Sequence, residues 1–131
     1  MMSDPIADFL TRIRNSNRMK HRFVNSPYSK IKKDVADILL NEGFIESYEI
    51  IGENISKSVR ITLKYTKENK CVINGLKRIS KPGLRIYSGF NKIKKVLNGL
   101  GIAVISSNKG VITDKLARDL KVGGEILAHI W

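Results

Sequence analysis

The chain has 131 residues, enough for one ordinary domain or two very small ones, and its 24 Lys and Arg against 12 Asp and Glu leave a formal net charge of +12. Self-repulsion on that scale points to a polyanionic partner, nucleic acid first and an anionic membrane surface second. The single Cys71 excludes an internal disulfide framework, the two isolated histidines give no metal-ligand spacing, and no apolar run approaches the ~20 residues of a membrane span. A soluble chain in a reduced, intracellular compartment is the expectation.

Asp4 followed by Pro5 makes a helix cap and first-turn pair, and Ile6, Phe9, Leu10 and Ile13 recur at helical spacing, which predicts a helix over about residues 5–16. Arg12 and Arg14 fall off the apolar stripe and are candidate phosphate contacts. Residues 19–26 read as a short basic strand or extended segment ending at Pro27. Ser29 then caps a second helix with a buried face of Ile31, Val35, Ile38 and Leu39, ended by Gly43. Lys30, Lys32 and Lys33 crowd its first turn, where cations oppose the helix dipole at a cost of up to ~1 kcal/mol each if exposed. Either an anionic partner relieves that crowding, with Lys30 as the candidate contact, or the three lysines are simply solvated. A strand is expected over Phe44–Ile51, and Val59, Ile61, Leu63 and Tyr65 alternate with Arg60, Thr62 and Lys64 as a half-buried strand does. The loop with Gly52 and Asn54 joins the two as a hairpin. This half reads as two helices on a three-stranded, mostly antiparallel sheet, and the polar run Thr66 to Lys70 marks a boundary between domains 1–66 and 67–131.

The second half is built of shorter pieces. Val72 and Ile73 start a strand, and Lys77, Arg78, Lys81 and Arg85 surround Pro82-Gly83, a turn signal that presents four cations. Tyr87 either offers its ring or hydroxyl to a nucleic acid or packs in the core. Asn91 caps a short helix with the stripe Ile93, Val96, Leu97 and Leu100, leaving Lys92, Lys94 and Lys95 outside it and ending at Gly99 and Gly101. Ile102–Ile105 and Val111–Thr113 are strand-like runs around a small polar tip, Ser106-Ser107-Asn108-Lys109-Gly110. With donors, acceptors and little bulk, such a tip can approach a base edge or a sugar hydroxyl closely. A third short helix is expected from about Thr113 to Leu120, and Gly123-Gly124 leads into Glu125–Trp131, which alternates as a strand partly covered on both faces.

Charge is segregated along the chain. Residues 12–33 carry eight cations and no acid, whereas residues 34–53 carry Asp34, Asp37, Glu42, Glu46, Glu49 and Glu53 and no cation. Residues 67–100 hold nine basic groups against one acid. Block segregation in a globular sequence favours one basic surface and one acidic back, the back being either solvated or set against a basic protein. An enzyme would need a nucleophile beside a base, a carboxylate pair or a phosphate-cradling loop. Cys71 has no neighbouring histidine, and the glycines fit neither a P-loop nor a dinucleotide pattern. Neither residues 5–16 nor residues 91–100 read as a DNA recognition helix.

Several segments together resemble the family of small-subunit ribosomal protein eight. They are Asp4-Pro5-Ile6-Ala7-Asp8, Arg12-Ile13-Arg14-Asn15, the Leu39 to Ile45 stretch, and Lys77 through Tyr87 with Lys81-Pro82-Gly83-Leu84-Arg85 at its centre. Gly101 through Ser107, Gly110 to Thr113, Ala117-Arg118 and Gly123-Gly124-Glu125-Ile126-Leu127 complete the match, which spans essentially the whole chain.

The resemblance implies a two-domain α+β protein without catalysis or cofactor. Its partners would be the central domain of small-subunit ribosomal RNA, bound early in assembly, and neighbouring ribosomal proteins. It would lie in the ribosome, cytoplasmic or in a plastid stroma, and be a monomer outside it. Some bacterial members of the family also repress their own messenger. The family's Ser-Thr-Ser-like RNA contact falls on Ser106, Ser107 and Asn108, with Lys109 beside them, and its Gly-Gly-Glu on Gly123, Gly124 and Glu125. Phosphate contacts are expected from Arg12, Arg14, Lys30, Lys81 and Arg85, with Tyr87 as a further RNA contact. The chain departs from the family at Asn108, where serine is usual, at Leu116, which lacks the glutamate that would complete a capping box with Thr113, and at Ala128 and His129, where cysteine and tyrosine are common.

Overall fold

The computed structural model describes residues 4–131, which form an α+β fold of two compact units, residues 6–74 and residues 75–131 with Asp4 and Pro5. The first unit holds α1 (Pro5–Arg18), β1 (Phe23–Pro27), α2 (Lys30–Asn41), β2 (Ile45–Ile51) and β3 (Ser58–Leu63). Its sheet is antiparallel in the order β1-β3-β2. The predicted helical stripes are buried at Ile6, Phe9, Leu10 and Ile13 on α1 and at Val35, Ile38 and Leu39 on α2, whereas Ile31 at the start of α2 is only half-buried. Central β3 buries Val59, Ile61 and Leu63 and turns Arg60 and Thr62 the other way, the period-two pattern of a one-sided sheet. The Ser29 hydroxyl accepts the Lys32 amide at 3.2 Å and so caps α2.

Lys32 corrects the expectation of three crowded surface lysines. Its side chain is buried, and Nζ donates to Ser26 Oγ at 2.9 Å and to the Pro27 carbonyl at 3.0 Å. Burial lowers its pKa against the opposing pull of Asp8. Lys33 pairs with Asp37 at 3.4 Å, while Lys30 stays exposed. Residues 66–74 follow the sheet as irregular chain rather than the strand expected at Val72-Ile73. They are tied down by a bridge between Tyr65 and Cys71 and by Asn17, whose Nδ2 donates to the Ile73 carbonyl at 2.9 Å.

The second unit holds β4 (Leu76–Arg78), β5 (Tyr87–Ser88), β6 (Ile102–Ser107), β7 (Gly110–Thr113), α3 (Asp114–Leu120) and β8 (Gly124–Ile130). The sheet runs β4-β8-β6-β7, with β5 also pairing to β8, and every pairing is antiparallel. The chain's last strand is thus hydrogen-bonded on both edges. One core cluster of this unit unites Ile93, Val96, Ala103, Ile105, Ile112 and Ala117. Thr113 caps α3 alone, accepting the Leu116 amide at 3.2 Å, and the buried Asp114 accepts from the Ala103 amide and from Arg118.

The helix expected over residues 91–100 is not formed. Two short 3-10 turns, Phe90–Lys92 and Val96–Gly99, stand there, and Leu97, Asn98 and Gly99 are all left-handed at φ 48°, 55° and 96°. Only Ile93 and Val96 of the stripe are buried. The stripe is overridden at Gly101, where the chain enters β6 so close to β8 that a Cβ would lie 2.7 Å from the Ile130 carbonyl.

All three α-helices end in the same paired bond motif. The residue after the left-handed one donates back five positions and the left-handed residue itself three, as His21 to Ser16 and Lys20 to Asn17, Phe44 to Leu39 and Gly43 to Leu40, and Val122 to Ala117 and Lys121 to Arg118. The left-handed position is Gly43 in α2 but Lys20 and Lys121 in the other two, at φ 60° and 56°. A Cβ in that conformation costs roughly 1–2 kcal/mol, of which glycine returns part as unfolded-state entropy. Lys121→Gly should therefore stabilise the protein by about 0.5–1 kcal/mol, read as a higher urea midpoint at unchanged slope.

Candidate nucleic-acid interface

The polar tip is a two-residue hairpin turn, Asn108-Lys109, between Ser107 and Gly110. Neither turn residue is left-handed, and Gly110 at φ 102° supplies the positive φ that returns the chain to β7. The Ser107 hydroxyl closes this turn, accepting the Lys109 amide at 3.1 Å and donating to the Gly110 carbonyl at 2.9 Å. Asn108 and Lys109 are exposed at its apex.

Strand register assembles the rest. Ser106 lies opposite Glu125, and Glu125 opposite Tyr87, so one row crosses β6, β8 and β5. The next row is Ser107, Gly124 and Ser88. Because adjacent residues of a strand point to opposite faces, Ser106 and Ser107 belong to different faces of the sheet end. The three strands meet here because of the glycines. A Cβ on Gly124 would lie 2.2 Å from the Ser106 carbonyl oxygen, and one on Gly123 2.3 Å from that of Ser88.

The cationic loop is fastened to the same rows. Lys81 and Leu84 exchange both backbone bonds at 2.9 Å around Pro82-Gly83. Arg85 Nη1 lies 3.0 Å from Glu125 Oε2. Beneath them Ser80, fully buried, donates its hydroxyl to Glu125 and accepts the Ile86 amide at 3.1 Å. Burial alone would raise the Glu125 pKa, but the Ser80 hydroxyl and the Arg85 guanidinium together hold it below the usual carboxylate value. At neutral pH the group is an acceptor only.

Of the four cations expected around the turn, Lys77, Lys81 and Arg85 are exposed. Arg78 is not, which corrects that expectation: it pairs with Asp4 at 3.1 Å and donates to the Leu127 carbonyl at 2.7 Å. Tyr87 is 69% exposed, so the core reading of this ring falls. The sheet end thus gathers Ser106, Ser107, Asn108, Lys109, Glu125, Tyr87, Arg85 and, across the turn, Lys81. Arg12, Arg14 and Lys30 belong to the other unit. Arg12 there pairs with Asp8 at 2.9 Å, donates to the Asn25 carbonyl at 3.1 Å and lines a recess of about 300 Å³ with Lys57. Ser80 went unassigned in the sequence; its only signal was a serine inside the motif Ile79-Ser80-Lys81-Pro82. Among the described residues no cluster of His, Cys, Asp or Glu could hold a metal, and no helix is long and apolar enough to cross a membrane.

Fold and site define a small, basic α+β protein whose converging groups donate and accept hydrogen bonds and carry charge. The family model for ribosomal protein S8 matches residues 4–131, and the chain belongs to that family. It is 61% identical over 130 residues to the small ribosomal subunit protein uS8 of Pediococcus pentosaceus, covering 99% of this chain and 98% of that one. Identity to uS8 of Limosilactobacillus reuteri is 58% over 130 residues, with the same coverage, and to uS8 of Bacillus mycoides 56% over 131 residues, with 100% and 99% covered.

Two outcomes follow from the Ser80–Glu125–Arg85 group. Ser80→Ala strands the part-buried Ile86 amide and removes a donor from the carboxylate, and should cost about 1–3 kcal/mol in urea unfolding. Glu125 has a folded pKa below its ordinary value near 4.5, so the stability its charge adds is full above that value and is lost as pH falls through the lower folded one. The stability gap between the native chain and Glu125→Gln should accordingly be constant from neutral pH down to about 5 and close only in more acid solution.

Proposed function

We propose that the chain is a structural constituent of the small ribosomal subunit and binds small-subunit ribosomal RNA through the end of its second sheet. The observation that carries this reading is the row Ser106–Glu125–Tyr87 with Arg85 paired to its central carboxylate, a dense set of polar groups at a sheet end fringed by exposed cations. The names of the relatives, all small ribosomal subunit proteins, support it.

Labour is divided on this surface. Lys81 and Arg85, with Arg12, Arg14 and Lys30 on the other unit, hold phosphates and fix the RNA's position, which carries no sequence information. Discrimination comes from the rigid tip and from Tyr87 and Glu125, which meet an irregular, unstacked region where base edges and 2′-hydroxyls are open to side chains. Glu125 accepts from base amino groups or sugar hydroxyls through Oε1, since both of its protein bonds fall on Oε2. A stem of the same shape in the chain's own messenger would bind equally well, which is how such a protein represses its own translation. The chain acts as a monomer until it meets RNA and neighbouring ribosomal proteins.

Filter binding across a salt series tests this. Lys81→Ala should weaken cognate and unrelated RNA alike and flatten the salt slope by about one unit. Ser107→Ala loosens the turn and should lower affinity roughly tenfold for the cognate stem while leaving unrelated RNA unchanged. Equal losses on both RNAs for Ser107→Ala would remove the tip from the recognition mechanism, and preference for duplex DNA or anionic vesicles would overturn the RNA reading as a whole.

A further inference from the structure

One concave feature of the second unit adjoins the interface described above and shares Tyr87 and Ser88 with its rows. A recess of about 250 Å³ opens between β5, the end of β8 and the loop after Gly89. Its apolar lining is Ile79, Ile86 and Ile126, and its polar edge carries Ser88, Lys92, Lys94 and His129, with Tyr87 beside them. The volume falls below the ~300 Å³ at which drug-sized pockets begin, which suits one heterocyclic ring system and little more.

We propose that this recess is a subsite for a single unstacked nucleobase, with Lys92 and Lys94 holding the phosphate attached to it. The inference rests on the RNA-binding reading and deepens it. The chemistry of the lining favours a nucleotide over an apolar side chain of a protein neighbour. Three isoleucines supply a surface for the faces of a base, while Ser88, whose hydroxyl donates to the Gly89 carbonyl at 3.1 Å, supplies an acceptor and His129 a donor and an acceptor for its edge, groups that a leucine or phenylalanine would leave unmatched. Burial, and then Lys77, lower the His129 pKa, so at neutral pH the ring is the neutral imidazole, offering one donor and one acceptor as a base edge does. Both lysines are exposed, and among the described residues neither is drawn into an ion pair.

Position argues the same way. Ser88 shares a cross-strand row with Gly124 and Ser107, so the recess begins in the row that forms the hairpin tip. A nucleotide turned out of a helix held at the tip would reach it without a long strand of intervening RNA. Single bases splayed out of irregular stems are what proteins read most readily in RNA.

The test uses the full chain with labelled isoleucine methyls and titrates adenosine 5′-monophosphate against ribose 5-phosphate, which lacks the base. Adenosine 5′-monophosphate should shift the methyls of Ile79, Ile86 and Ile126 with a Kd on the order of 1 mM, and ribose 5-phosphate should not. The double variant Lys92→Ala, Lys94→Ala, at two exposed positions that leave the fold intact, should weaken this binding about tenfold. Equal shifts from ribose 5-phosphate would reduce the recess to a phosphate site and overturn the proposal. So would shifts caused by N-acetyl-leucine amide and not by the nucleotide, which would make it a protein contact, and so would no nucleotide shift at all. Filter binding of ribosomal RNA by the same samples separates the two readings. Intact RNA binding with an unresponsive recess sinks the subsite alone, whereas loss of cognate RNA binding by the native chain sinks the function on which it rests.

Discussion

The buried Ser80 hydroxyl is the constraint on which the proposed RNA surface depends. It joins the start of the cationic loop to its end, by accepting the Ile86 amide, and joins both to β8, by donating to Glu125. Backbone bonds from Ile79 to Leu127, from Ser80 to Ile126 and from Ile126 to Ile86 run along the same line. Lys81 through Arg85 would otherwise be an exposed excursion with little apolar anchorage, since Leu84 is 67% exposed. Charge placed on a loop costs ordering entropy when a ligand binds; charge on a loop already clamped at both ends does not. The same hydroxyl keeps Glu125 ionised, which in turn holds Arg85 extended beside the row.

Much of the net charge of +12 is available to a ligand, but not the part a count along the sequence suggests. Two of the cations are consumed inside the fold, Lys32 by Ser26 and the Pro27 carbonyl and Arg78 by Asp4 and the Leu127 carbonyl. Each meets two acceptor groups, the pairing that burying a cation requires. Others are spent on exposed pairs such as Arg12 with Asp8 and Lys33 with Asp37, which are worth little to stability and exchange readily for a phosphate. Lys77, Lys81, Lys92, Lys94 and Lys95 are the exposed remainder of the second unit's basic stretch. They explain why that stretch, with seven cations and no acid over residues 75–100, is also the one with least regular structure: like charges are tolerated on turns and short strands where neighbours can diverge, and are costly along one helix face.

The regular elements were legible in the sequence wherever one apolar period ran uninterrupted between clear punctuation. Helices α1 and α2 and strand β3 show this, as does the Thr113 cap of α3. The end of α3 at Leu120 was legible, but that of α1 was not, because its left-handed residue is Lys20, and a lysine there carries no signal that the hydrogen bonds of the turn will override its preference. Residues 91–100 misled for the opposite reason. Their spacing fits a helix, but the decisive fact is nonlocal, the close approach of Gly101 to β8, and no local pattern encodes it. Lys32 and Arg78 show the same limit for side chains, since a long cation looks alike in sequence whether its partner is solvent or a carbonyl on another strand. The site was legible as a set of segments and not as a geometry: Ser106 and Glu125 are 19 positions apart and adjacent only through strand register.

The register also changes what the tip can do. Ser106 and Ser107 are neighbours in sequence and face opposite ways, so they do not form one binding patch. Ser106 belongs with Glu125 and Tyr87, while Ser107 belongs with Gly124 and Ser88 and spends its hydroxyl on closing the turn. The hairpin's shape is therefore fixed by Ser107 and Gly110, and the residue at the apex is free of structural duty. Asn108 occupies that position. Its extra length over serine extends into solvent from the exposed apex, where an amide brings a two-donor, one-carbonyl edge in place of a hydroxyl. A substitution at the apex can thus retune what the tip contacts without disturbing how the tip is held, whereas the same substitution one residue earlier would unmake the turn itself.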